Sequence, residues 1–357
     1  MFAAVRQLID RYQLSKAEQP VGVAVAAAAI AWQRAGMPPG SIDRYALQAL
    51  TKLTLGEIAP TKELADEDFT TGLSWSMEPV AAFAALVRKS ATGVDHHRAF
   101  DAVVSWAQEH EQSLSTPIWE LILAHADLHN LNALATAAYH AQQVTVAERA
   151  WTITSHSDDS QIAATAAFNL AILLTKLGRP EEAEGAYSLA IHTEHPDLAP
   201  RAAVDLGVLL REQQRPEEAS AAFRVAIDSG HSDMAARAAF NLGGMARMRE
   251  LPDEAEPAYR LAVGSGHPDL APKAAAALGG LLQEQGRLEE AEAAYRLAID
   301  SGHPHHASAA LNLGELQKEQ GRLENAEATL RMAIYSGNPI IAPVADELLR
   351  ELQEPDK

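Results

Sequence analysis

Between residues 126 and 339 the apolar positions recur with helical spacing, and that pattern itself repeats every 36 residues. Leu170, Leu206, Leu242 and Leu278 step by 36 and Leu313 follows after 35; the next residues, Ala171, Gly207, Gly243, Gly279 and Gly314, are all small. Ala183, Ala219, Ala255, Ala291 and Ala326 keep the same step. Four residues after each stands a large apolar side chain, Tyr187, Phe223, Tyr259, Tyr295 or Leu330, and then a further alanine at 190, 226, 262, 298 and 333. Self-similarity at such a period marks a stacked array, because one unit cannot bury its apolar face alone. Each unit predicts two amphipathic helices.

The ends of these helices are written in the same repeat. Second helices open as Arg-Pro-Glu-Glu-Ala at 179–183 or Arg-Leu-Glu-Glu-Ala at 287–291. Proline in a first turn forfeits no hydrogen bond, and the glutamates complement the positive helix end. Gly230, Gly266, Gly302 and Gly337 supply the left-handed residue that ends each second helix, and Pro200 and Pro272 can start the next first helix. The small residues let two helices approach closely, and the aromatic is expected to fill the space between neighbouring units. Upstream, Leu134, Ala147 and Trp151 fit the period and predict a degenerate first repeat from near Asn130. Downstream, 340–353 carries Asp346, Glu347, Arg350 and Glu351 among leucines, as a polar terminal helix should, so that 340–357 reads as a capping helix and tail.

Residues 1–125 keep helical periodicity without a recognisable copy, and read as a helical N-terminal domain preceding the repeats of 126–339. Candidate helices lie near 2–13, 20–35, 41–53, 78–89, 97–111 and 117–126. The acidic stretch from Glu57 to Asp68, with Pro60, is the expected exposed loop. The longest apolar run, Val21 to Trp32, is shorter than the roughly 18 to 20 residues that span a bilayer. It reads as a buried helix rather than an anchor or a signal peptide.

The segment FNLGGMARMRELPDEAEPAYRLAV, Phe240 to Val263, resembles the tetratricopeptide repeat, with its Asn-Leu-Gly, alanine, aromatic and second alanine in order. The Ser-Gly-His-Pro turn and the longer period are similar to Sel1-like repeats. The resemblance implies an all-α, right-handed superhelical solenoid of helix-turn-helix units. Segments 31–38, 72–87 and 97–107 look similar to the helical region that joins the NTPase module to tetratricopeptide repeats in some actinobacterial signal-transduction ATPases. No Gly-x-x-x-x-Gly-Lys-Ser/Thr loop occurs in this chain, so any such ATPase would be a separate protein.

A formal net charge of −19 argues against general affinity for nucleic acid or anionic membrane. With no cysteine, thiolate metal sites, thiol nucleophiles and disulfides are excluded, which fits a cytoplasmic protein. The row His195, His231, His267 and His303 invites a metal reading. Units one helix pair apart, on the order of 10 Å, cannot share one ion when zinc–nitrogen bonds are about 2 Å, and a structural turn role is expected instead. In the run His125, Asp127, His129 a helix cap by Asp127 is the simpler reading. Asp95, His96 and His97, next to Gly93, read as a solvated turn. Glutamate pairs that recur at every second-helix start mean capping and solubility, not catalysis. No metal site, no cofactor and no enzymatic activity are expected.

The sharper signal lies on the first helices. Six residues before the repeat glycine stand Arg201, Arg237 and Lys273; four after it stand Arg211, Arg247 and, in the last unit, Lys318. Ten residues apart on a helix, the two rows share one face. Between them lie apolar Phe168 and Phe240, and Asn169, Asn241 and Asn312 precede the repeat leucines. Such first helices line the concave side of tetratricopeptide proteins. There asparagines grip ligand backbone and basic residues hold ligand carboxylates, so the resemblance implies a scaffold or adaptor for an acidic partner peptide or helix. The alternative is the sensing or regulatory arm of a signalling or defence NTPase assembly, contacted through the N-terminal helices.

Overall fold

The structure, a computed structural model, describes residues 2–80, 85–89, 96–110, 113–303 and 306–353. It divides into two compact units, residues 1–177 and 178–357. Among the described residues all regular structure is helical apart from one short hairpin.

The first unit is built around α2 (Pro20–Arg34), which packs on α3 (Arg44–Ile58) and α4 (Asp66–Met77). The apolar run forms α2 and is buried except at Ala27. Close approach of α2 to α4 rests on two glycines: a Cβ on Gly22 would lie 2.2 Å from the Trp75 ring, and one on Gly72 would lie 2.7 Å from Val21. The helix α1 (Phe2–Leu14) is tied on by Arg11, which donates to the carbonyls of Trp75 at 2.7 Å and Glu78 at 2.8 Å. Strands β1 (Val87–Lys89) and β2 (His97–Ala99) pair antiparallel, Arg88 opposite Arg98. The unit continues with α5 (Asp101–His110), α6 (Thr116–His125), α7 (Leu131–His140), α8 (Val144–Thr154) and α9 (Ser160–Lys176).

Several N-terminal expectations are corrected here. The helix expected at 78–89 falls partly outside the described residues, and its described end, Val87–Lys89, is a strand whose partner is ten residues away. The helix expected from 97 starts at Asp101, because His97 to Ala99 belong to β2. His97 is not in a solvated turn: it is 1% exposed, while Gly93 and Asp95 lie outside the described residues. The acidic stretch is not all loop, since α3 continues to Ile58 and Asp66, Glu67 and Asp68 open α4, where carboxylates suit the positive helix end.

The second unit is a succession of helical hairpins: α10 (Pro180–His192), then α11 (Leu198–Glu212) with α12 (Pro216–Asp228), α13 (Ser232–Met248) with α14 (Pro252–Gly264), α15 (Leu270–Glu284) with α16 (Leu288–Asp300), and α17 (His306–Glu319) with α18 (Leu323–Tyr335). A last helix, α19 (Ile341–Gln353), lays Ala345 and Leu349 against Leu311, Leu330 and Ala333. Gly230, Gly266, Gly302 and Gly337 all have the expected positive φ, between 64° and 75°.

The repeat glycines explain the hairpins. A Cβ added to Gly207, Gly243, Gly279 or Gly314 would lie 2.6 or 2.7 Å from Phe223, Tyr259, Tyr295 or Leu330 respectively. Each large side chain thus lies on the glycine of its own hairpin, inside the unit rather than in the expected space between neighbours. The ring has to occupy the volume a side chain would take, so the two helices can close only on a residue without one.

Gly243→Ala is therefore expected to destabilise the protein by about 1–3 kcal/mol, because Tyr259 must leave its rotamer or the helices must separate. The adjacent Gly244→Ala meets nothing closer than the Tyr259 hydroxyl at 3.9 Å and should be neutral to stabilising by up to about 1 kcal/mol, the ordinary helix gain. Thermal and urea melts of the pair check this; equal effects would refute the packing account.

Candidate functional site

The first helices α11, α13, α15, α17 and α19 each pack on the next as well as on their hairpin partners, forming one continuous layer within the second unit. Along each, the residues that keep exposure recur at helical spacing: Arg201, Asp205, Val208 and Glu212 on α11, then Arg237, Asn241, Gly244 and Met248 on α13, and Lys273, Ala277, Gly280 and Glu284 on α15.

Of the residues singled out from sequence, Phe168 and Asn169 stand on α9 in the first unit, with Phe168 buried. The others stand on the layer of the second unit, and many of its cations are already engaged. Arg237 donates to Asp233 at 3.0 Å, Arg247 pairs with Glu284 on the next first helix, and Lys318 pairs with Glu351 on α19 at 2.7 Å. Arg211 donates to the amide oxygen of Asn241 at 3.2 Å, and the same amide donates to the Arg237 carbonyl at 3.0 Å. Among the described residues neither Arg211 nor Lys273 forms an ion pair. Phe240 packs on Tyr259 with ring centroids 6.3 Å apart.

The same face carries acids that charge counting along the sequence missed. Asp205 lies beside Arg201 and Arg237; burial pushes its carboxyl above the ordinary value, against the pull of the two guanidinium groups. Glu315 is likewise raised by burial and by Glu319, with Lys318 opposing. Beneath them the Tyr295 hydroxyl, pushed up to about 12 by burial despite a hydrogen bond from Asn312, donates to Gln283 at 2.9 Å. The face is a mixed array of cations, carboxylates and amides.

The turns that hold this layer explain the histidines. The Nδ1 of His195 accepts the backbone N–H groups of Asp197 and Leu198, both at 3.2 Å, and His267 does the same for Asp269 at 3.1 Å and Leu270 at 3.2 Å. His231 accepts from Met234 at 3.4 Å. Asp159 and Asn338 stand at the same place in the repeat and cap with their own oxygens, Asn338 at 3.0 and 3.1 Å. Histidine therefore takes the role usual for Asp, Asn or Ser. Its other nitrogen faces the previous turn: Nε2 of His267 lies 2.7 Å from Asp233, and those of His303 and His231 lie 3.4 and 3.7 Å from Asp269 and Asp197. His267 thus joins two turns, accepting at Nδ1 from the start of α15 and meeting Asp233 through Nε2. The structural role expected of this row is what the turns show.

Asp127, by contrast, stands at the start of a single 3-10 turn, Leu128–Asn130, and its side chain makes no capping hydrogen bond. Among the described residues no group of three or more His, Asp or Glu side chains is placed to hold a metal ion. No described helix is long and apolar enough to cross a membrane.

On the opposite side of the hairpins, arginines in the interhelix loops reach back to the preceding second helix. Arg215 pairs with Glu184, Arg287 with Glu256 and Arg322 with Glu292, each at 2.6 Å. These arginines hold Glu256 and Glu292 below the usual carboxylate range.

Repeated helical hairpins, closed on a glycine and joined by a capped turn, define a helical repeat protein. The sequence profile of the tetratricopeptide repeat matches residues 132–203, 204–275 and 276–339, more than half of the chain. The chain belongs to the tetratricopeptide repeat family. Similar solved structures include YrrB, described as a tetratricopeptide protein with an unusual peptide-binding site: 24% identity, 56% of this chain and 99% of that one, TM-score 0.42. PilF of Pseudomonas aeruginosa is 20% identical over 64% of this chain and 97% of its own, TM-score 0.43. MamA from Desulfovibrio magneticus RS-1 is 19% identical over 50% and 96%, TM-score 0.39. No curated protein matches the sequence.

Two expectations follow from this geometry. His267→Ala should lose about 1 kcal/mol or more with the cap, and His267→Asn should retain most of it, as Asn338 does in place; an alanine variant with an unchanged melt would refute the capping role. Asp205 and Glu292 should respond oppositely to pH. Since the Asp205 value is raised on folding, its charge disfavours the fold at neutral pH; Asp205→Asn should raise the melting temperature at pH 7, with the gain vanishing as pH falls below the ordinary aspartate range. Glu292, lowered by Arg322, contributes above the ordinary glutamate value and loses that contribution as pH falls through its lower folded value. Glu292→Gln should accordingly lower the melting temperature at pH 7 and have little effect in acid.

Proposed function

We propose that this protein is a non-catalytic scaffold whose first-helix face in the second unit, α11 to α17, binds an acidic peptide or helix of a partner protein. The observation that carries the reading is the placement of Arg201, Arg237 and Lys273 in one row and Arg211, Arg247 and Lys318 in another, on one face of an otherwise acidic chain. Their carboxylate partners do not oppose it. The Arg247–Glu284 and Lys318–Glu351 pairs are solvent-exposed, and such pairs contribute only about 0–1 kcal/mol, so an incoming carboxylate can replace the internal one at little cost. Charge-assisted hydrogen bonds from Arg211 and Arg247 would orient the ligand, and the amides of Asn241 and Asn312 keep hydrogen-bonding capacity for its backbone. Phe240 and Met248, the latter 84% exposed, offer apolar contact. The peptide-binding description of YrrB is in keeping with this reading.

A second reading, contact with a signalling NTPase through the N-terminal helices, is favoured by a mostly apolar cleft of about 760 Å³ between α3 and α6, lined by Leu53, Gly56, Pro117, Leu121 and their neighbours.

Affinity capture from the source organism's lysate, with partners identified by mass spectrometry, separates the two. The full chain, an Arg211→Glu/Arg247→Glu variant and a Leu53→Glu variant are compared. Loss of a captured partner by at least tenfold in the arginine variant alone is the expected result. Loss in the Leu53 variant alone would move the function to the first unit, and retention by the arginine variant would sink the basic-face reading.

A further inference from the structure

On the second-helix side of the second unit a groove of about 300 Å³ runs between α14 and α16. Its floor is Leu278 and Leu282, core residues of α15, and its walls include Val263 and Gly264 on one side and Ala293 and Leu297 on the other. Leu297 is 58% exposed at the rim, and Val225, Leu261 and Met332 keep the same register on α12, α14 and α18, all exposed. Gly264 widens the groove at this one place, since Asp228 and Asp300 hold its register on α12 and α16. Its backbone is helical, and an added Cβ would meet nothing within 4 Å, so neither a left-handed turn nor a close contact calls for glycine. Glycine weakens a helix, and a residue that breaks a local rule without a gain to the fold is the kind expected at a binding site.

The charges around the groove set the sign of what can dock there. The two helices carry seven carboxylates and two arginines. Both arginines are engaged: Arg260 pairs with Glu256 and with Glu290, each at 2.9 Å, and Arg296 pairs with Glu292 at 2.6 Å. The loop residues Arg287 and Arg322 reach the same three glutamates. The other four acids, Asp253, Glu254, Glu289 and Asp300, are exposed and form no ion pair among the described residues. The unbalanced charge beside the apolar groove is therefore negative. Its walls are helices whose backbone groups are mostly spent on their own hydrogen bonds, so an extended chain finds no ladder to join, whereas a helix arrives with its backbone satisfied and its apolar residues on one face.

We propose that the groove between α14 and α16 docks a basic amphipathic helix of a partner protein, with an apolar side chain of that helix seated over Leu278 and Leu282 and its cations toward Asp253, Glu254, Glu289 and Asp300. The surface is separate from the first-helix face and selects the opposite charge. Its ligand needs both parts: the carboxylates alone would attract any polycation, and the groove alone would take any apolar side chain of that size.

Fluorescence anisotropy of a labelled synthetic peptide titrated with the full chain tests this. The probe carries leucine at the apolar positions of three heptads and lysine at the others; one control has glutamate in place of lysine, and a second keeps the probe's composition in scrambled order. Saturable binding of one probe per chain is expected, with each control at least tenfold weaker. Gly264→Leu should weaken binding at least tenfold by filling the groove, and Leu297→Asn, at an exposed side chain, should weaken it to a similar degree with an unchanged melt. If Gly264→Leu does not fold, the Leu297 variant decides. Absence of saturable binding, unchanged affinity in Leu297→Asn, or a control peptide binding as tightly as the probe would overturn the proposal. So would self-association of the chain in sedimentation that Leu297→Asn abolishes, since the groove would then belong to a second copy.

Discussion

In each hairpin of the second unit a large side chain of the second helix rests on the backbone of the first, where Gly207, Gly243, Gly279 or Gly314 leaves room for it. The other features of the unit follow from that contact. It sets how closely the two helices approach, and so places the flanking alanines, Ala219 and Ala226 on α12 for example, in full burial. It also fixes the rotation of the first helix about its axis. With glycine turned toward the ring, the residues six before and four after it lie about 120° and 40° round the helix from it and keep exposure on the open layer. A single small residue per repeat thus decides both the core and the exposed face.

Stacking needs a second device, because hairpins closed in this way would otherwise be joined by flexible turns. These turns combine a left-handed residue, Glu194 after α10 and glycine in the others, with a hydroxyl that bonds back to the helix just ended, and His195, His231, His267 and Asn338 cap the helix about to begin. Ser265 donates to Ala262 at 2.6 Å and accepts from the His267 backbone at 3.2 Å, while the His267 ring caps α15 and reaches Asp233 of the preceding turn. On the opposite side the loop arginines bridge to glutamates one hairpin back.

What could be read in the sequence was whatever repeats. The period, the small residue and the aromatic of each unit, the left-handed turn glycines and the first-helix face all came from comparing each unit with the next, whereas the seat of the ring on the glycine of its own hairpin did not. Two kinds of feature escaped. Pairings between residues distant in the chain have no local signature: β1 is specified by β2, and Arg322 finds Glu292 only after the hairpins stack. Chemistry that depends on orientation escaped as well. The histidines were seen as turn residues, but the capping by Nδ1 of His195, His231 and His267, and the reach of His267 Nε2 to Asp233, emerge only with coordinates. The cations were seen as a track, and the structure shows that the same face holds Asp205 and Glu315. In the first unit, where nothing repeats, the end of α3 and the first turn of α4 were taken for loop because the acidic run from Glu57 to Asp68 resembled a solvated stretch.

The repeat also constrains where specificity can reside on the proposed binding face. Positions that serve the core, such as the glycine and the leucine before it, cannot vary without opening the hairpin. The partly exposed position two residues before that glycine carries no such burden, and it reads Asp205, Asn241, Ala277 and Asn312 along the second unit. An acid, an amide, a methyl group and another amide thus stand at one register on a uniform backbone, flanked by cations on either side. The carboxylate of Asp205 repels a ligand carboxylate that the amide of Asn241 would accept, so an acidic partner would engage α13 to α17 more readily than α11. Discrimination then arises from the order of side chains along one row, while the fold beneath it stays constant.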